Sequence, residues 1–593
     1  MRAAIALSTL GVTQLNSRAK VSASKDGQLI DVRWGLASAN GRLAILNELD
    51  YIARQPIELP NSGTVTTLSL NGVVTEQICV QANDTIVIRR QPRSPTQIYY
   101  WIGPDTLEID HDLDRLAASL RSITCLDRSS LLHFIWRGRP ITGRTLYEGI
   151  RSLRVGEELV CEPMRRPIIR RFWWPLHSEP LHHDGEILRK EALGRLEAAV
   201  VRDATLPKIS NFEKHQLSRT ALLLSGGVDS SFIAAIAHRN NIPVNAFTVS
   251  FKDSYGLNEF TFASHVARLL RMPHQEVRID EDDAKRHLAI VLSSSHPRAV
   301  IASITQSALL EAIAHHGHTH LLSGLGADEC FGGYHKPLEY LAGQLQHMTK
   351  RHMDLSGLFN MPLAKLLRMR AALFLGIAEF FPLRKLSRIA SETPEIHDLV
   401  DGDITFYREA LVAKPFANPL ELMAAHEYQY RLSELLLPAF ETNALNSKPT
   451  ISYPFLDPTV FLWASALDPG LCYWEKDGAW WAKRLLRETA KAFLPPKIIM
   501  RKRQILLAPI GHWLLVRSFR KIFIEEIADS YFWKLRILRT TARSQLLKCL
   551  QQYREINTDN AWQEQLWVIL VLCAWTNRRE TNLIRTDTPV GYD

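Results

Sequence analysis

The stretch LLLSGGVDSSF, from Leu222 to Phe232, constrains the fold of this chain more than any other. An apolar run stops at two glycines, one acid follows, and a helix of small residues begins. Strand, glycine turn and helix in that order predict a parallel sheet covered by helices, and ligands bind such sheets at the carboxyl ends of the strands. Gly226 and Gly227 carry no side chain, so backbone N–H groups converge on an anion there. The helix that follows adds its open N–H groups and the positive end of its dipole. Ser225, Ser230 and Ser231 supply hydroxyl donors. Asp229 repels a bare phosphate, so its presence implies a bridging Mg²⁺, a hard cation that takes carboxylate and phosphate oxygens together. No lysine follows the glycines, which excludes the GxxxxGK[ST] phosphate loop.

A second turn repeats the pattern. HLLSGLGADECFGGYHK, from His320 to Lys336, is again an apolar strand, a Ser-Gly-x-Gly turn and then Asp328 and Glu329. Asp229 and Asp328 lie 99 residues apart, room for several βα units and a return to the same sheet edge, where both carboxylates would share the cation. The texture between them agrees: ALLLS and VNAFTVSF read as buried strands, and ILRKEALGRLEAAVV and SFIAAIAHRN as helices. After Pro337 the chain reads as mostly helical. Residues 1 to 175 read as β-rich, with TVTTLSL, TIVIRR and QIYYWI as short strands and a first helix over Leu113–Ile123. The Pro- and His-rich run from Arg165 to Glu186 reads as a linker.

Composition narrows the setting. A chain of 593 residues predicts two to four domains, and 46% apolar residues permit a large core. The net charge of +9 suits polyanions such as nucleotides, nucleic acid or an acidic peptide, but it is spread along the sequence and so reads as a basic surface. Seven cysteines with no CxxC pair argue against disulfides and zinc and for a reducing, cytoplasmic setting. The opening MRAAIALSTLGV is too soon interrupted for a signal peptide. LWVILVLCAW, Leu566 to Trp575, is half a membrane span and reads as a core helix. AHHGHTH before the second motif reads as a solvated turn, Cys330 as core, and Lys350–Arg388 as a basic helical face, with a peptide or partner site as its alternative.

SGGVDSS resembles the pyrophosphate loop of the ATP pyrophosphatases. The two loops together resemble the synthetase domain of the asparagine synthetase family, whose second motif is typically SGEGADELFGGY. Asn258–Val277, Tyr453–Pro458 and Ala482–Gln504 are similar to its later motifs, in order, and Thr145–Leu159 is similar to a segment of its front domain. The resemblance implies an α/β synthetase domain over 176–593, of adenine nucleotide α-hydrolase type with a parallel sheet and helical cover. It implies before it, over 1–175, a β-rich domain like a glutamine amidotransferase of the N-terminal nucleophile kind, lacking its Cys. It implies ATP and Mg²⁺ as cofactors. Ser225, Gly226, Gly227, Asp229 and Ser230 would hold pyrophosphate, and Asp229 and Asp328 the metal. Leu223, Val249, Ser323 and Gly324 would enclose adenine and ribose. Lys483 and Arg487 match the K..LR pair, and Arg503, with Lys502 beside it, stands where the family places a lysine against the leaving pyrophosphate.

Two departures refine the expectation. The family's glutamine-dependent members begin with a catalytic Cys, whereas Arg2 stands second here and the first cysteine is Cys79. The Glu of SGEG, the family's base, is Leu325. An α-amine, with a pKa of about 7.7–8.0, needs less help from a base than an amine of higher pKa. A chain without that Cys and that Glu, but with both aspartates, most resembles the lasso-peptide cyclases. These adenylate an Asp or Glu side chain of a precursor peptide and close a macrolactam with its N-terminal amine. The resemblance implies a precursor peptide, a leader-binding protein and a leader peptidase as partners. Another amide-forming synthetase, of the ammonia-dependent or β-lactam kind, is the alternative, and a non-catalytic scaffold the alternative of another class. The peptide, its ring size and the acceptor carboxylate stay open.

Overall fold

The computed structural model describes residues 85–579 apart from interruptions, chiefly 121–124, 176–180, 206–219, 253–258, 334–379, 392–398, 400–404, 415–418, 502–507 and 555–559, and between 19 and 80 the backbone of six strands. The opening residues 1–12, Arg2 among them, most of the basic stretch 350–388, and Lys502 and Arg503 lie outside the described residues.

The first twelve strands form two sheets. They are β1 (Ala19–Ala23), β2 (Leu29–Leu36), β3 (Ala39–Leu46), β4 (Ala53–Leu59), β5 (Ser62–Leu70), β6 (Val73–Val80), β7 (Ile86–Arg90), β8 (Ile98–Ile102), β9 (Thr106–Asp110), β10 (Arg151–Leu153), β11 (Glu157–Cys161) and β12 (Ile168–Arg171). One sheet runs β1-β2-β3-β9-β8-β10 and the other β12-β11-β7-β6-β5-β4. Ile86, Ile88, Leu159 and Cys161 of the second meet Ile98, Tyr100, Leu107, Ile109 and Leu153 of the first in one buried cluster, so the sheets pack face to face. The run expected as a linker is partly sheet: β12, the sequence Ile-Ile-Arg-Arg, pairs antiparallel with β11, and Arg171 reaches Glu157 of that strand. The first helix, α1 (Leu113–Ser119), is capped by Asp112, whose carboxylate accepts from the N–H groups of Asp114 and Arg115. It is followed by α2 (Arg128–Arg137).

The second half is built on five parallel strands, β13 (Thr220–Leu223), β14 (Val244–Phe251), β15 (His274–Ile279), β16 (His320–Leu322) and β17 (Thr450–Ser452), in the order β15-β14-β13-β16-β17. Seven of the eight residues of β14 are buried, as expected of a strand covered on both faces. Helices α3 (Gly185–Thr205), α4 (Val228–Arg239), α5 (Phe260–Leu269), α6 (Glu281–Leu292) and α7 (Ser303–His315) alternate with the strands. From β13 the chain steps outward through β14 to β15, then returns to lay β16 on the other side of β13. That reversal between β13 and β16 is a topological switch point, where open α/β sheets bind ligands. The later part also contains a hairpin, β18 (Tyr473–Lys476) and β19 (Ala479–Ala482), within its helices. Residues Asn560–Asn577 form one helix whose Leu566–Trp575 segment is wholly buried. Among the described residues no helix is long and apolar enough to cross a membrane.

The two halves share one core, and a charged clamp fixes their seam. Arg90, at the end of β7, is fully buried and donates to Leu153 O at 2.9 Å, Ser433 O at 3.1 Å and Glu434 Oε1 at 2.8 Å. Glu434 lies in Glu427–Leu436, a ten-residue helix with π-type hydrogen bonding. Tyr99 stacks on His296, and Arg579 grips Asp114 across the same seam. Glu434→Ala leaves the Arg90 charge buried without its carboxylate, so we expect a loss of about 3–5 kcal/mol in urea unfolding. The double replacement Arg90→Met with Glu434→Leu should cost far less.

Candidate active site

The two glycine turns leave adjacent parallel strands. Thr220, Ala221 and Leu222 of β13 pair with His320, Leu321 and Leu322 of β16, so Ser225–Ser230 and Ser323–Asp328 emerge side by side at the carboxyl edge. They touch: a Cβ on Gly324 would lie 3.3 Å from the Ser230 nitrogen and 3.4 Å from Asp229 Cβ. Gly226 has φ +70°, and a Cβ there would meet Phe262 at 2.6 Å, so both its backbone angle and its close approach to α5 require glycine. The first turn is braced by its serines. Ser225 N donates to Ser230 Oγ at 3.1 Å, and Gly227 N to Ser225 Oγ at 3.3 Å. No side chain caps α4 at Gly227, which leaves that helix end to an anion. Ser231 is fully buried within α4, so it is not among the hydroxyls facing the turn, a correction to the three-serine expectation that follows from the helix beginning at Val228.

The aspartates meet through a lysine. Lys483 Nζ lies 2.6 Å from Asp229 Oδ2 and 2.7 Å from Asp328 Oδ1. Lys483 is 4% exposed, and it adopts φ +63°, the left-handed region that a non-glycine residue enters at a cost. It sits where β19 ends and helix α8, Arg484–Ala490, begins. Arg487, one turn on, locks that junction: its Nε donates to Ala482 O at 2.8 Å and its Nη1 to the carbonyls of Ile499 and Arg501. Burial pulls the Arg487 guanidinium below its ordinary value, against the opposing pull of Asp229 and Asp328.

Arg501 reaches the first turn from the basic run. Its Nη1 donates to Ser225 O at 2.7 Å, and its guanidinium lies 4.1 Å from the Phe262 ring centre. Its other end stands 3.8 Å from the carboxylate of Glu259, the residue just before α5. The reading of the basic run centred on Lys502 and Arg503 and missed Arg501. Its signal was weak, because adjacent basic residues are equivalent in sequence and only the backbone path shows what each one reaches. Leu223 ends β13, half-buried. Val249 is buried in β14, past the residues paired with β13 and thus beside the turn. Ser323 is buried and accepts from Leu325 N at 3.3 Å. Leu325 itself is partly buried against the core.

The remaining motifs support the second turn. Cys330 is buried, donates to Phe455 O at 3.0 Å, and has its thiol pushed well up by burial, as befits a core cysteine. Asp457 of YPFLDP pairs with Arg202 and caps the next helix at Thr459 N. A Cβ on Gly333 would overlap Asp328 Oδ1, so that glycine makes room for the carboxylate. The histidines near 316 form no metal cluster among the described residues, and His318 is buried against Asn245.

Asp229 Oδ1 is buried and has no hydrogen-bond partner, while two carboxylate oxygens share one ammonium beside it. This acidic, oxygen-only set fits a hard divalent cation. Glycine turns at a switch point, a helix end open to anions, and Lys483 and Arg501 reaching the turns make this sheet edge a candidate nucleotide site.

Residues 216–577, more than half of the chain, match the Asparagine synthase family model, and the chain belongs to that family. It is 25% identical over 505 residues to asparagine synthetase [glutamine-hydrolyzing] 1 of Bacillus subtilis (strain 168), covering 82% of this chain and 74% of that protein. It is 29% identical to amidase chyE of Penicillium rubens over 43% of this chain and 38% of that protein. The solved NMN synthetase of Francisella tularensis is a distant likeness, 14% identical, with a TM-score of 0.20 over 42% of this chain and 94% of that one.

Glu259 generates a pH prediction. Burial pushes its carboxyl up to about 7 from 4.5, with Arg501 opposing. The folded chain therefore holds a proton that the unfolded chain releases, and this stabilisation is full below about pH 4.5 and lost as pH rises through about 7. Between these values the wild type should lose stability relative to Glu259→Gln, by at most about 3 kcal/mol, in unfolding curves across that range.

Proposed function

We propose that this chain is a peptide macrolactam synthetase of the lasso-cyclase kind. An Asp or Glu side-chain carboxylate of a precursor peptide attacks the α-phosphorus of ATP; pyrophosphate leaves and an acyl-adenylate forms. The peptide's N-terminal amine then attacks the acyl carbon, AMP leaves, and the amine proton passes to solvent. The observation that carries this reading is Leu325. At the position of the family's base stands a side chain with no titratable group, packed against the core, and an α-amine with a pKa of about 7.7–8.0 is the nucleophile that least needs one.

The chain's own residues divide the work. The Gly226–Gly227 turn and the open end of α4 accept the leaving pyrophosphate, with Ser225 and Ser230 shaping the turn. Lys483 neutralises the charge that grows there, Arg487 fixes its backbone, and Arg501 holds the turn in place through Ser225 O. Asp229 and Asp328 would hold Mg²⁺, which supplies Lewis-acid stabilisation of phosphate charge when bound. Leu223, Val249, Ser323 and Gly324 would flank the nucleoside. Arg503 is a further candidate for pyrophosphate. The remaining task is positional: the amine must be held about 3–3.5 Å from the activated carbonyl. A precursor peptide, a leader-binding protein and a leader peptidase in a reducing cytoplasm complete the proposal.

A second reading, amide formation with free ammonia, is favoured by the Bacillus subtilis relative, whose likeness extends over 82% of this chain. One experiment separates them. The chain is incubated with ATP and either a leader-free precursor peptide or aspartate with ammonium, and AMP, pyrophosphate and product mass are measured. We expect AMP and pyrophosphate only with peptide, and a product lighter by one water. Asparagine formation instead supports the second reading. Asp229→Ala and Asp328→Ala should each lower the rate by at least about a hundredfold.

A further inference from the structure

The contact that joins the two aspartates is a salt bridge, and it stands where a shared cation would stand. We propose that Lys483 is an exchangeable counter-ion: its ammonium holds Asp229 and Asp328 together, and it must leave the space between them before a divalent cation can be shared by the same two oxygens. This rests on the reading of Asp229 and Asp328 as the metal-holding pair.

The geometry sets the two occupants in competition for these two oxygens. With Nζ at 2.6 and 2.7 Å from Asp229 Oδ2 and Asp328 Oδ1, the oxygens are separated by at most about 5.3 Å. A Mg²⁺ bonded to both at about 2.0–2.1 Å needs them within about 4.2 Å. No room remains for an ammonium on the line between them. The charges argue the same way. Both carboxylates are largely shielded, with side-chain exposures of 28% and 18%, and the lysine side chain is 6% exposed, so the opposite charges offset one another in a poorly solvated place.

The construction around Lys483 suits exchange. Its Cα is fixed: the left-handed backbone, the end of β19 and the Arg487 bond to Ala482 O all hold it. Its ammonium is held by ion pairs rather than by the backbone, at the end of a flexible four-carbon stem with rotatable donors. The partner that can draw it off is the polyphosphate of the nucleotide, because the same two aspartates flank the Gly226–Gly227 turn. Nucleotide and metal then bind with positive coupling: phosphate takes the ammonium, and the carboxylates it leaves take the metal. Lys483 is thus a positioning residue for the metal as well as a charge beside pyrophosphate.

The test is Mn²⁺ binding to the full chain, followed by the electron paramagnetic resonance of free Mn²⁺, with and without a non-hydrolysable ATP analogue and corrected for Mn²⁺ held by the analogue. Without nucleotide, Lys483→Met and Lys483→Gln should bind Mn²⁺ at least about tenfold more tightly than wild type, and adding Asp229→Asn should remove the gain. Mn²⁺ should raise the melting temperature of the Lys483 variants and leave that of the wild type unchanged. Equal affinity in wild type and variants, with the site still abolished by Asp229→Asn, overturns the counter-ion and leaves the metal pair standing. Binding indifferent to both Asp229→Asn and Asp328→Asn overturns the metal pair itself. A wild-type chain that binds Mn²⁺ equally well with and without the analogue overturns the inference without recourse to a variant.

Discussion

Three charges from three distant parts of the chain, Asp229, Asp328 and Lys483, meet at one sheet edge, and much of this molecule exists to keep them there. Two carboxylates this close repel unless a cation lies between them. The ammonium at 2.6 and 2.7 Å supplies that charge from within the chain. Everything nearby constrains its three partners. Glycine turns let the strands end close together, Gly333 leaves space for one carboxylate, and the bonds of Arg487 hold the lysine's backbone in a conformation it would not otherwise choose.

The cost of this arrangement is spread over the surrounding structure. Buried charges are stable only when paired, and each pairing here has a support behind it. Arg501 ties Ser225 to Glu259 and Phe262. Asp457 with Arg202, and Cys330 on Phe455 O, brace the second turn from below. At the seam, Arg90 with Glu434 joins the β-sandwich to the parallel-sheet half. The sandwich keeps its own inter-sheet cluster, while Tyr99 and the helices α1 and α2 pack into the core of the parallel-sheet half.

Much of the fold was legible locally. A Ser-Gly-Gly turn after an apolar run and before a small-residue helix has few alternatives, and its recurrence around Asp328 pointed to one sheet edge. The apolar run ending at Trp575 could only be a core helix, being too short to span a membrane. Other features were not legible. The Arg165–Glu186 run looked like a linker because prolines and histidines interrupt it, yet four of its residues find a free strand edge. Ser231 looked like a phosphate donor until the start of α4 turned it inward. The contact of Arg501 with Ser225 depends on the path of the chain after Ile499.

By itself the sequence determined the chemistry of the parts: which residues are acidic, which turns must be glycine, and that glycine turns followed by carboxylates lie at the ends of parallel strands. These follow from local rules, in which a residue's backbone freedom and charge act over a few neighbours. The tertiary structure alone decided the pairings. It set β16 against β13, brought Lys483 between two acids more than 150 residues before it, and buried Arg90 against Glu434. Such contacts depend on the order of strands in the sheet and on which surfaces bury one another, and neither is encoded within any short stretch of the chain.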